Sequence, residues 1–83
     1  MPRFFFDIHD GEWSRDVEGV ECADVVAACY EAKRVLPGMA VDHVPQDGDW
    51  HAITVLVTDE DRRPVYTATL SFAGQLLQGG EPT

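Results

Sequence analysis

The chain has 83 residues, 45% hydrophobic and 25% charged, and its six basic and fifteen acidic residues give a formal charge of −9. A length near the lower limit for a self-sufficient core confines it to one domain, since such a chain buries only about 60% of the surface its unfolded form exposes. The charge repels nucleic-acid phosphate, so no direct nucleic-acid binding is expected, and no apolar run approaches the roughly 18 residues that cross a bilayer, so no membrane insertion is expected either.

Phe4, Phe6 and Ile8 alternate with Phe5, Asp7 and His9, which predicts a strand over residues 3–9 with one face toward the core. Asp7, His9 and Asp10 follow the opening aromatics directly, leaving no apolar stretch of signal-peptide type, and a cytoplasmic location is expected. Asp10 and Gly11 signal a turn. Trp13 to Val20 then offers a weak second strand, interrupted by Glu18 and Gly19, which resemble a bulge or turn.

Asp24 suits a helix N-cap. Around and beyond it an apolar stripe that starts at Cys22 and continues through Val25, Val26, Cys29, Ala32 and Leu36 recurs at spacings of three and four. Pro37 and Gly38 should end or kink the helix, yet Met39, Ala40 and Val44 prolong the stripe, which predicts a kinked or restarted helix to about His43. On one helix face Cys22 and Cys29 would stand roughly 10 Å apart, too far for a disulfide. They are expected to be small buried side chains in a reducing compartment.

Residues 51–58 alternate again, with Ile53, Val55 and Val57 on one face. A polar connection from Asp59 to Arg62 leads to a further strand, in which Tyr66, Ala68, Leu70 and Phe72 alternate with Thr67, Thr69 and Ser71. Residues 75–83 are expected to form a flexible C-terminal tail after a single domain of residues 1–74.

This order predicts an α+β fold, a small antiparallel β-β-α-β-β sheet with a weak second strand and one kinked helix on one face. The expected core is Phe4, Phe6, Ile8, Val26, Cys29, Leu36, Ile53, Val55, Val57, Tyr66, Leu70 and Phe72. The uncovered face would carry Phe5, Leu56 and Val65 among Asp7, His9 and threonines. That mixed patch suits an interface sealed by a second copy, so a homodimer is expected, and a basic protein partner is compatible with the acidic surface.

The opening Met1-Pro-Arg-Phe-Phe-Phe-Asp-Ile-His-Asp-Gly11 resembles that of a family of short bacterial proteins of unknown function. Asp16-Val-Glu-Gly-Val-Glu21, Ala27-Ala-Cys-Tyr-Glu-Ala32, Val57-Thr-Asp-Glu-Asp61 and Pro64-Val65 are similar to it in order and approximate spacing, over roughly residues 1 to 72. The sequence departs from that pattern at Arg62, where relatives often carry glycine, and at Pro37 inside the helix. The resemblance implies no activity, the family itself being uncharacterised.

Asp7 and His9, two apart on a strand, project to one side with roughly 7 Å between their Cα atoms, and Asp16 or Glu18 on a paired strand could join them as a metal site or acid–base pair. A solvated outer sheet face is the weightier reading of the same residues. Asp59-Glu60-Asp61 lacks the spacing of a calcium loop and reads as a solvated hairpin tip, and His43 and His51 as exposed loop histidines. Nucleophile elbow, phosphate-cradling loop and dinucleotide fingerprint are all missing, so catalysis is disfavoured and no cofactor is implied. The aromatic opening lacks the glycines and basic residues of RNA-binding sheets.

The leading expectation is a non-enzymatic interaction or accessory protein that self-associates or binds a protein partner through the open sheet face or edge. A small-ligand or metal-binding domain centred on Asp7, His9 and Asp16 is the second. A regulatory protein of antitoxin type, its acidic surface masking a basic partner, is the third, by analogy of fold alone.

Overall fold

The computed structural model describes residues 1–41 and 50–77. Its elements are β1 (Arg3–His9), β2 (Trp13–Ser14), β3 (Val20–Glu21), α1 (Val25–Val41), β4 (Trp50–Thr58) and β5 (Pro64–Ala73). The strands form one antiparallel sheet in the order β2-β1-β4-β5, with β3 also pairing with β1. The chain is therefore an α+β domain, with its helix between two strand pairs in sequence.

The weak second strand is divided. Ile8 lies opposite Ser14 and Phe4 opposite Val20, so four steps along β1 are matched by six on its partner. The surplus is taken up by residues 15–19, which leave the ladder between β2 and β3. Gly19 marks the return at φ 76°, where a Cβ would stand 2.7 Å from the Arg3 Cγ and 3.0 Å from the Phe4 carbonyl oxygen. Only glycine takes both that backbone angle and that approach at low cost.

Asp24 caps α1 as its position suggests: its Oδ1 accepts the Ala27 N–H at 2.8 Å and its carbonyl oxygen accepts the Ala28 N–H at 3.1 Å. The helix then runs without interruption through Pro37 to Val41. Proline deprives the Lys33 carbonyl of its helical donor, but Lys33 and Pro37 both lie on the exposed side, where water can take the donor's place. No restart is needed, and the expected extension to His43 lies outside the described residues.

The buried row of α1 is Ala28, Ala32 and Leu36. It sits on Ile53, Val55 and Val57 of β4, joined by Phe4 and Cys22. Full burial of each larger aliphatic side chain contributes about 1.5–3 kcal/mol, and the two alanines let the helix approach the sheet closely. This corrects the expected core. Val26 is 76% exposed and Val25 is exposed too, because close approach selects the row with the smallest side chains rather than the neighbouring row of valines. Cys29 is half-buried, and Cys22 precedes the helix instead of lying on it. Phe6, Ile8, Tyr66 and Ala68 pack around the buried cluster, but Leu70 and Phe72 are exposed. The molecule is elongated, 56 × 22 × 19 Å, and no helix among the described residues is long and apolar enough to cross a membrane.

Candidate functional site

On the sheet face away from α1, Asp7 stands opposite Leu56 in the middle of the ladder and is only 1% exposed. A carboxylate there must be compensated. Its Oδ2 accepts a hydrogen bond from Arg15 Nη1 at 3.1 Å, its Oδ1 accepts one from the Asp16 N–H at 2.8 Å, and Arg62 Nη1 lies 3.8 Å from Oδ1. The excursion between β2 and β3 is thus tied down onto the sheet by Asp7.

Asp16 completes the tie from the other direction. Its Oδ2 accepts the Phe6 N–H at 3.1 Å, a ladder donor of β1, and its Oδ1 accepts the N–H groups of Glu18 and Gly19 at 3.2 and 3.0 Å. Burial pushes its carboxyl up, but those three N–H donors and the charge of Arg62 more than offset this and hold the pKa below the ordinary value. The side chain therefore stays ionised and stands in for the missing strand.

Arg62 comes from the β4–β5 turn. There Asp59 organises the chain, its Oδ1 accepting the Asp61 and Arg63 N–H groups at 2.9 Å each. Arg62 adopts φ 62°, the left-handed conformation that glycine takes freely. Its guanidinium covers the Phe5 ring at 3.7 Å and donates to the Asp16 carbonyl oxygen at 2.9 Å. The departure from glycine thus keeps the tight turn and adds a side chain that reaches across β1 to the excursion between β2 and β3.

Of the residues expected to form a metal or acid–base site, Asp7 and Asp16 do come together, but with their oxygens already accepting N–H donors. His9 packs instead edge-on against Trp13, with ring centroids 4.9 Å apart. Among the described residues no group of three or more His, Cys, Asp or Glu side chains could hold a metal ion. Burial, reinforced by Glu31 and Asp24, raises the Cys22 thiol above its usual pKa, which leaves it a poor nucleophile.

Of the expected interface residues, Phe5 lies beneath Arg62 and is half-buried, as is Leu56. Val65 sits at the β-bulge between β4 and β5 and packs against the buried cluster. The face away from α1 is consequently less open than its alternation suggests. On the helix side a groove of about 280 Å³ runs between α1 and β1, lined by Phe6, Ile8, Val20, Val35 and Met39 together with Asp16 and Glu31.

The most open feature is the edge of the sheet. β5 pairs with β4, from Trp50 opposite Ala73 to Thr58 opposite Pro64, and has no strand partner on its other side among the described residues. Leu70 and Phe72 on it are 38% and 50% exposed, and Trp50 beside it 70%. The opposite edge is interrupted by the excursion between the two-residue strands β2 and β3 and carries Glu12, Arg15, Glu18 and Glu21. Sequence alternation places β5 correctly; its position at the edge was not readable from it. The readable signal is charge: from Pro64 to Gly80 there is no Asp, Glu, Lys or Arg.

A family model described as Domain of unknown function (DUF6894) matches residues 3–71, and the chain belongs to that family. No curated protein and no solved structure matches it.

Proposed function

We propose that this member of the DUF6894 family is a non-enzymatic interaction module that works by strand addition at the free edge of β5. The observation that carries the reading is a ten-residue edge strand with no charged residue and with exposed Leu70 and Phe72. Folded proteins ordinarily blunt such an edge with charges, bulges or a covering segment, because its unpaired backbone recruits other strands. Here the β2–β3 edge is interrupted and charged, whereas β5 carries its bulge and proline only at its first residues and no charge anywhere. Main-chain pairing then supplies affinity, and the alternating side chains of β5 supply selectivity. The Asp7 and Asp16 carboxylates favour the non-enzymatic side of the reading, since every oxygen of the two already accepts an N–H donor that holds residues 15–19 against the sheet.

The test is amide exchange of the isotope-labelled protein at high dilution, with and without an unlabelled extract of the source organism. Exchange at the outward-facing amides of β5 should slow several-fold in the extract. Slowing confined to other elements, with β5 unchanged, overturns the reading.

A further inference from the structure

This inference rests on the reading of β5 as an interaction edge and names its partner. The chain carries −9 overall, yet the run that contains β5, Pro64 to Gly80, carries no charge at all. A foreign basic segment would find no carboxylate on β5 to recognise. A second copy is the partner whose charge can only repel, −9 against −9, and the surface on which two such chains can meet is one from which charge has been removed.

Strand geometry then fixes how they meet. Two identical strands related by a two-fold axis run antiparallel, and the axis stands perpendicular to the shared sheet. Residues facing each other across an antiparallel ladder point to the same side, so the axis must lie midway between a residue and its own counterpart in the second copy. An axis at Thr69 overlaps Val65–Ala73 with its counterpart. It places Phe72 opposite Tyr66 of the second copy and Leu70 opposite Ala68 on the helix side, with Thr67 opposite Ser71 on the other. Each pairing occurs twice, and the aromatic pair is the kind that stabilises a sheet most. An axis at Ala68 would instead set Phe72 against Pro64, and one at Leu70 would leave Tyr66 outside the overlap. We infer that the chain forms a two-fold homodimer in which β5 pairs with β5 of a second copy about Thr69, joining the two sheets into one. Because the β2–β3 edge is interrupted and charged, the assembly stops at two.

Sedimentation equilibrium on the full chain tests this together with Thr69→Lys, Thr69→Glu and their mixture, all checked for native circular dichroism. Wild type should dimerise, either variant alone should dissociate at least tenfold more readily because like charges face each other at the axis, and the mixture should recover the dimer as a Lys–Glu heterodimer. In a Cys29→Ser background, Thr69→Cys should cross-link on oxidation and Thr67→Cys should not. A wild type that is monomeric at millimolar concentration overturns the second copy as partner while leaving the edge open to another protein. A dimer indifferent to Thr69→Lys overturns the pairing and the edge reading together. Cross-linking through Thr67→Cys in preference to Thr69→Cys, or no recovery in the mixture, overturns the register.

Discussion

Arg62 shows how a single position couples backbone and side-chain energetics. Its left-handed backbone, at φ 62°, costs about 1–2 kcal/mol in a non-glycine residue, and its guanidinium contributes a ring contact with Phe5 and a hydrogen bond to the Asp16 carbonyl oxygen. The two effects separate in a pair of variants. Arg62→Ala loses the side-chain contacts and keeps the backbone cost; Arg62→Gly loses the same contacts and relieves that cost. Urea unfolding should therefore find Arg62→Ala the less stable variant by about 1 kcal/mol, and equal stabilities would show that the backbone angle carries no penalty. Asp7 and Asp16 tell the complementary story. Their side-chain types and spacing suggest metal or acid–base chemistry, but the folded chain spends both carboxylates on holding residues 15–19 against β1. A strand sequence shows which side chains share a face; it does not show which backbone donors will be left over for them to satisfy.

At the scale of elements, α1 and β5 are the informative cases. The helix is continuous through Pro37 although proline removes a hydrogen bond there. Since Pro37 is exposed and makes no part of the buried row, Pro37→Ala should restore the Lys33–residue 37 hydrogen bond and raise stability by about 1–3 kcal/mol. Thermal unfolding reads the change, and a lower midpoint would mean that the proline serves the fold in some other way. Strand β5 inverts the usual relation between pattern and burial. Its alternation of Tyr66, Ala68, Leu70 and Phe72 with Thr67, Thr69 and Ser71 reads as a half-buried strand, yet Leu70 and Phe72 remain exposed while Ile53, opposite Leu70 on β4, is buried.

For the whole molecule the controlling quantity is charge against size. An 83-residue chain has little core to spare, and with a formal charge of −9 its copies repel one another wherever that charge is felt. If association runs through the uncharged β5 edge, salt should strengthen it by screening the remainder of the surface. Raising ionic strength from about 0.01 M, where the Debye length is about 30 Å, to about 0.1 M, where it is about 10 Å, should tighten the dimer on the order of tenfold. Sedimentation across that range checks it, and a dimer weakened by salt would point instead to ion pairs across the interface.

The sequence by itself determined the α+β class, the position of β1, β4 and β5, the Asp24 cap and the family resemblance, because periodicity, capping and turn chemistry are local properties of the chain. Only the tertiary structure decided that Ala28 and Ala32, and not Val26, face the sheet, that the second strand is split around Asp16, that Asp7 is buried beneath Arg15 and Arg62, and that β5 is the open edge. Each of those depends on close approach between segments distant in sequence, where the volume of a side chain and the unsatisfied donors of a neighbouring strand select one arrangement among several that the local pattern allows.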